Sequence, residues 1–436
     1  LNARLRQTEL RGGAMLSRLR VLQVGDVHYP SAVAAVRSID DKDVKFPSGL
    51  KDSISSLPLK SVIKRIHAEL SAGRVDAVLF MGDLTDQGRL DGFATCAAYL
   101  LDALELKTGQ AFGDIPSGFV PGNHDVDRTL AVGGDMLGKF KPLAEAMATA
   151  GATRFPTDAT VSFEISAGSA HASIHLLNSC WGCGEPENIP TPFKDAIKTA
   201  IETVLATDPG SAKTYYDRQL DTPAFDAETI AALSEAVADG PATSLQVLVA
   251  HHNLLPQRTP RLAPYTELVN SGALRAALIE SGRPCLYLHG HIHDDPVEVV
   301  NAGQTPPLVV ISAPEASVGF NLIEIVFMRS GVPLACEVTP FRLESGVIRR
   351  RPSVSTPLMG SERRRSTDRR MPKLYAKILD QGETYWNDLM KHARAIDAEV
   401  TEDDVVEILE LLNADGSVII ENRDLTAQNW IVRATI

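Results

Sequence analysis

From residue 19 to residue 343 the chain alternates short apolar runs with stretches in which apolar residues recur every three or four positions. The run 19–25 is largely apolar, as a strand covered on both faces must be, and a polar cluster, Asp26-Val27-His28, follows it. Leu59, Val62, Ile63, Ile66 and Leu70 then share one helical face, with Lys60, Lys64 and Arg65 between them and Gly73 as the stop. A second apolar strand at 75–81 leads into Gly82-Asp83-Leu84-Thr85-Asp86-Gln87-Gly88. A helix through Phe93, Ala97, Leu100, Leu101 and Leu104 precedes a third strand at 119–120, which ends in Pro121-Gly122-Asn123-His124-Asp125. Strand followed by helix, with polar side chains at each strand's carboxyl end, predicts a layered α/β protein whose site lies along that edge.

The pattern loosens between 127 and 242. Residues 161–165 and 172–177 read as paired strands, whereas 180–223 contains Pro and Gly and shows no period; so long an irregular segment predicts a covering loop with a function. Regularity returns at Asp226, an N-cap for a helix through Ile230, Leu233 and Val237. The strand 245–250 ends in His251-His252-Asn253. A helix over 268–279 leads to the strand 285–288 and then His289-Gly290-His291-Ile292-His293. Strands are expected at 297–300, 308–312, 321–327 and 334–341, the last three as a second sheet layer.

Domain boundaries follow from composition. Residues 1–14 read as a disordered or vector-derived leader before a start at Met15, and 15–345 as the main domain. Residues 346–373 carry Arg349-Arg350-Arg351, Arg363-Arg364-Arg365 and Arg369-Arg370 with few apolar residues, and so predict a solvated basic linker. Residues 374–436 predict a small acidic domain: a helix over 374–395, a second helix capped by Thr401 through Val405, Ile408, Leu409 and Leu412, and a hairpin of 417–421 with 430–434. Helix followed by hairpin is the end of a winged-helix pattern. Glu402, Asp403 and Asp404 make that helix acidic, which favours packing or protein contact over DNA.

At 436 residues the chain can bury one large domain and an appendage. No apolar run is long enough to cross a bilayer and no secretion signal is visible, so a cytoplasmic protein without a membrane partner is expected. Five cysteines, an odd number, fit free thiols in a reducing compartment. Cys180-Trp181-Gly182-Cys183 has metal or redox spacing, but no second such pair and no thioredoxin-like context accompany it, and it reads as a loop with two incidental thiols. The net charge of −12 divides into −11 over 1–345, +7 over 346–373 and −8 beyond. An acidic body is ill suited to gripping a nucleic-acid backbone, which leaves only the basic segment for that purpose.

Chemistry concentrates in Asp26, His28, Asp83, Asn123, His251, His291 and His293. Mixed imidazole and carboxylate ligands suit divalent Mn, Fe or Zn, and two neighbouring ions are best served by a carboxylate that bridges them. Seven groups suffice for two ions that share Asp83. Either His251 or His252 can be the histidine of the fourth cluster.

In this order, Asp-x-His, Gly-Asp, Gly-Asn-His-Asp, a strand-end His and Gly-His-x-His resemble the calcineurin-like metallophosphoesterases, over residues 19–343 and loosely between 128 and 244. The resemblance implies a four-layer αββα sandwich, here with a small α+β C-terminal appendage. It also implies two divalent ions: one on Asp26, His28 and His293, the other on Asn123, His251 and His291, with Asp83 bridging. The family's ligand directly follows its strand, which favours His251 over His252. Two cations about 3.5–4 Å apart acidify a water between them and offset the charge of the phosphoryl group. His124 is then expected to assist the leaving oxygen, and Asp125 to orient His124. The loop from Gly82 to Gly88 looks most like the branch that includes cyclic-nucleotide phosphodiesterases. A small phosphoester, diester or monoester, is therefore the expected substrate. A DNA or RNA nuclease using the basic segment, and a non-catalytic scaffold binding protein through the appendage, are the alternatives.

Overall fold

Strands that are apolar on both faces need cover on both, and this chain supplies it in layers. A computed structural model describes residues 16–29, 57–73, 75–85, 90–127, 130, 137–183, 191–208, 222–241, 243–256, 268–293, 297–303, 305–360, 368–423 and 425–435. The leader 1–14 lies outside the described residues. In chain order the elements are β1 (Arg18–Val24), α1 (Leu57–Ser71), β2 (Ala77–Phe80), α2 (Leu90–Ala103), β3 (Ser117–Phe119) and α3 (Lys141–Ala150). Next come β4 (Val161–Ala167), β5 (Ala170–Leu176), α4 (Thr191–Thr207), α5 (Ala227–Asp239), β6 (Leu245–Val249), α6 (Ser271–Glu280) and β7 (Cys285–His289). Strands β8 (Val297–Val300), β9 (Leu308–Ser312), β10 (Gly319–Phe327), β11 (Pro333–Glu344), β12 (Val347–Arg350) and β13 (Val354–Pro357) follow. The chain then adds α7 (Met371–Gln381), β14 (Glu383–Tyr385), α8 (Trp386–Ile396), α9 (Glu402–Ala414), β15 (Val418–Glu421) and β16 (Ile431–Ala434).

One sheet runs β12-β11-β10-β1-β2-β3, with β13 also on β11; a second runs β4-β5-β6-β7-β9-β8. Alternate residues divide the strands between two cores. Leu19 and Val21 of β1 and Leu79 of β2 face Ile174, Val247, Leu286 and Ile311 across the space between the sheets. The other face of the first sheet, with Leu22, Val78 and Phe80, packs against Val62 and Ile66 of α1, Phe93 of α2 and Leu143 of α3. The outer face of the second sheet, with Leu248, Tyr287 and Val310, is covered by Leu233 of α5 and Leu274 and Leu278 of α6. The architecture is therefore the expected four-layer αββα sandwich. Asp226 caps α5 as expected, accepting from the N–H groups of Glu228 (3.0 Å) and Thr229 (3.3 Å).

Four expectations need correcting. Leu308–Ser312 does not share a layer with the two strands after it: β9 pairs with β7, while β10 pairs with β1 and β11 with β10. Apolar runs report burial on both faces but not which sheet receives them. The stretch 346–373 opens with β12 and β13, both antiparallel to β11. Its arginines 349–351 decorate an edge strand, where charge keeps other strands from adding, and 361–367 lie outside the described residues. The helix expected over 374–395 is two helices, α7 and α8, broken at Gly382 (φ 72°) by β14. Finally, the irregular stretch 180–223 contains α4 and two isolated bridges, Cys180 to Ala224 and Gly182 to Thr222.

The C-terminal sheet, β14-β16-β15, joins α7, α8 and α9, in the chain order α7, β14, α8, α9, β15, β16. Thr401 and Asp404 form the capping box of α9. This helix, which would enter a DNA groove, is instead packed: Val405, Leu409 and Leu412 share a core with Val326, Leu334 and Ala335 of β10 and β11. A fully buried carboxylate, Glu410, anchors it between Arg18 Nη2 of β1 (2.6 Å) and Arg423 Nε (2.7 Å). Burial pushes the Glu410 carboxyl up to about 7 against the pull of Arg18. Arg18 also pairs with Glu324, and Arg423 with Glu337. Replacing Glu410 by Ala removes one of the carboxylate partners of each of two buried guanidinium groups, and chemical denaturation should show a loss of about 1–3 kcal/mol. Glu407→Ala, at the half-exposed Arg329 pair, should cost less than about 1 kcal/mol in the same measurement.

Candidate metal centre

Every expected metal ligand stands within four positions of a strand's carboxyl end: Asp26 and His28 after β1, Asp83 after β2, Asn123 after β3, His251 after β6, His291 and His293 after β7. Three of those strands belong to one sheet and two to the other, so the site straddles both. The structure brings all seven residues together.

Asp83 is the hub. Its carbonyl accepts the N–H groups of Val27 (3.0 Å) and His28 (2.9 Å), its Oδ1 accepts that of His124 (2.9 Å), and its Oδ2 lies 3.3 Å from His251 Nε2. His251 is fixed by its other nitrogen, since Nδ1–H donates to the Met81 carbonyl (2.8 Å) and turns Nε2 towards Asp83 and Asn123 Oδ1 (3.0 Å). Asp26 is fully buried; its carboxylate accepts the His291 N–H (3.1 Å) and meets the His293 ring. The His28 ring stands edge-on to His124 (centroids 5.2 Å apart) and to His293 (5.8 Å).

Electrostatics follow from this packing. Burial alone would raise the Asp83 carboxyl, but His251, His124 and His28 hold it well below the usual carboxylate range. Burial likewise disfavours charge on His251, yet Asp83 and Asp26 push it up to about 10. His291 is pushed down to about 3 by burial and by His251 beside it. The site thus sets the Asp83 carboxylate among imidazoles that compete for the positive charge around it.

The backbone is bent to reach this arrangement. His28, Asp83, His291 and His293 all adopt left-handed φ angles, 43°, 47°, 65° and 53°, which side-chain-bearing residues avoid and which cluster at functional sites. Two glycines are required by close approach. A Cβ on Gly122 would run into the Asp83 carboxylate, and one on Gly290 into that of Asp26.

Among the described residues, three groups at this site have ligand atoms within 4.8 Å of one another, close enough to hold cations: Asp26, His28 and His293; Asp26, Asp83 and His251; His251, His252 and His291. His251 and His252 differ in their neighbours: His251 faces Asp83 and Asn123, whereas His252 Nδ1 faces Ser179 Oγ (2.9 Å). The Asp125 carboxylate accepts the N–H groups of Gly122 and Thr85 (both 2.9 Å) and so closes the turn that carries His124. Burial and Asp83 push it up to about 7. Thr85 was not singled out from the sequence; its hydroxyl donates to the His124 carbonyl (3.1 Å) and ties two of the site's loops together.

A family model described as calcineurin-like phosphoesterase matches residues 19–295. Among solved structures the chain is similar to a dimetal phosphatase from Danio rerio, at 11% identity and a TM-score of 0.44 over 79% of this chain and 99% of that one. It is also similar to a 5′-nucleotidase precursor from Thermus thermophilus (14%, 0.39, 77% and 55%) and to a phosphopantetheinyl hydrolase from Mycobacterium tuberculosis (14%, 0.34, 69% and 92%). Identities this low say nothing of substrate. No curated protein matches the chain. Among the described residues no helix is long and apolar enough to cross a membrane. The family match spans more than half of the chain and contains all seven clustered residues: the chain belongs to the calcineurin-like phosphoesterases, a family of hydrolases.

Proposed function

We propose that this chain hydrolyses a small phosphodiester, of the cyclic-nucleotide class, at a centre of two divalent cations. The observation that carries the reading is the position of Asp83, which touches the loops after β1, β3 and β6 with one residue. The donor set fits such ions: two carboxylates, an amide oxygen and four imidazoles are ligands for Mn, Fe or Zn. Asp26, His28 and His293 would hold one ion, Asn123, His251 and His291 the other, and Asp83 both. Bound there, the ions would supply an acidified water and offset the charge of the phosphoryl group.

The chain's own groups do the rest. His124 is an imidazole beside ligand Asn123 that this set does not use, half-buried, with its main chain tied to Asp83 and Thr85. From there it protonates the leaving oxygen. Asp125 holds the turn that presents Asn123 and His124. Support for a small diester comes from the loop that opens with Gly82-Asp83, which resembles the cyclic-nucleotide branch. Packing of α9 against β10 and β11 supports a small substrate too, because the one helix shaped for a DNA groove is covered.

A Mn-loaded panel of 3′,5′- and 2′,3′-cyclic nucleotides, a model diester, phosphomonoesters and oligonucleotides tests the substrate class. Diesters should lead in kcat/KM, and a preference for monoesters or oligonucleotides would sink that part. Asp83→Ala should reduce both metal content and turnover to background; two ions per chain in this variant would refute the bridging role. His124→Ala should keep both ions and lower kcat by about 10²–10⁴-fold on substrates with poor leaving groups. An unchanged rate on those substrates removes His124 from the reaction. Asp83 and Asp26 keep a proton on His251 up to about 10, and that proton must leave before Nε2 can ligate a cation. Metal uptake at neutral pH should therefore release protons, and affinity should weaken by about tenfold for each unit the pH falls. Calorimetry in two buffers of different ionisation enthalpy reads this directly, and identical heats would contradict it.

A further inference from the structure

Behind the Asn123 loop lies a second cluster of ligand-type side chains that phosphoester hydrolysis does not use. Cys180 and Cys183 are both fully buried and share one turn, closed by the Cys183 N–H donating to the Cys180 carbonyl (3.0 Å). Lys139, itself buried, clamps that turn by donating from Nζ to the carbonyls of Trp181 (2.6 Å) and Cys183 (2.9 Å). His252, far along the chain, is fully buried and places a ring nitrogen within 4.8 Å of both thiols. Its Nδ1 faces Ser179 Oγ (2.9 Å), while its Nε2 is buried without a hydrogen-bond partner among the described residues.

Such a trio is poorly matched by hydrogen bonding alone. Thiols are weak donors and weak acceptors, and a buried nitrogen without a partner bears the whole cost of its desolvation. A thiophilic divalent cation suits two buried thiols beside a ring nitrogen, because two thiolates, a neutral imidazole and the ion sum to zero charge in a dry interior. Zinc with two Cys and one His is a known three-ligand set that leaves one position for water. Zn–S bonds of about 2.3 Å and Zn–N bonds of about 2.0–2.1 Å put the ligand atoms about 3.5–3.8 Å apart, so the trio would close by at most about 1 Å.

His252 also lies near His251 and His291. The thiols decide its allegiance, because His251 Nε2 already faces Asp83 and Asn123. We propose that Cys180, Cys183 and His252 form a third cation site, for a thiophilic divalent ion such as zinc, distinct from the oxygen- and imidazole-lined centre. Binding releases both thiol protons. The site lies behind the catalytic loops: the protonated Cys180 thiol donates to the carbonyl of Pro121 (3.2 Å), next to Gly122 and Asn123, a bond that the ion would replace, and His252 follows His251 directly. The spacing Cys180-x-x-Cys183, read from sequence as incidental, acquires its third ligand only through the fold.

Cobalt titration of the full chain, purified under reductant and stripped by a chelator, tests the site. Co²⁺ should raise a near-ultraviolet thiolate-to-cobalt charge-transfer band equivalent to one ion, and Zn²⁺ should bleach it. Cys180→Ser and Cys183→Ser should each abolish the band and lower zinc content by one ion per chain, while the visible bands of cobalt in the oxygen- and imidazole-lined centre persist. The band reports sulfur ligation alone, so it can be read whether or not the two-ion centre forms. Its absence from the unmodified chain, which needs no variant to fold, overturns the proposal, as does a band that survives both substitutions.

Discussion

The site exists because the carboxyl ends of two separate sheets meet, and Asp26 is where they join. Its carboxylate accepts the backbone N–H of His291 and contacts the His293 ring, from residues more than 260 positions away in the chain. Gly290 must lack a side chain for that approach. Beneath it, a buried polar chain sets the alignment of the sheets. Gln23 of β1 donates to the carbonyls of His289 (3.2 Å) and Ile311 (2.9 Å) in the other sheet, and accepts from Asn321 (2.9 Å), whose Oδ1 accepts from Arg342 (2.8 Å). In an otherwise apolar layer each of these groups would be costly unpaired, so one relative placement of the sheets satisfies them and slipped ones do not.

The same placement concentrates charge. Asp26 and Asp83 are buried among histidines, and the arrangement is tolerable because each carboxylate meets N–H donors and imidazole. Strained backbone at His28, Asp83, His291 and His293 shows that the fold holds these groups together against local preference. The proposed pair of cations, shared by Asp83, would use the convergence chemically. The appended C-terminal unit takes no part in it among the described residues. It is tied instead to the far edge of the first sheet through α9 and the Arg18–Glu410–Arg423 contacts.

Much of this was legible from residue types and spacing. Short apolar runs marked the central strands because both faces of each are covered, and the polar clusters marked the strand ends. The gathering of Asp26, Asp83, Asn123, His251 and His293 was expressed in motif order, since each residue sits at a fixed offset from its strand. Other features depend on partners distant in sequence, which periodicity does not encode. β9 looked like its neighbours β10 and β11 yet belongs to the other sheet. The arginines 349–351 looked like linker because an exposed edge strand is charged for the same reason a linker is. The hydrogen bonds of Asp125 to Gly122 and Thr85, which close the turn, join loops that the sequence does not show to be neighbours.

The central claim is that seven side chains from both sheets make one two-ion centre around Asp83. Anomalous scattering at the manganese edge from crystals grown with Mn²⁺ tests it most directly. Two peaks are expected, one among Asp26, His28 and His293 and one among Asn123, His251 and His291, with the Asp83 carboxylate between them. A single peak, or peaks away from Asp83, would contradict the account.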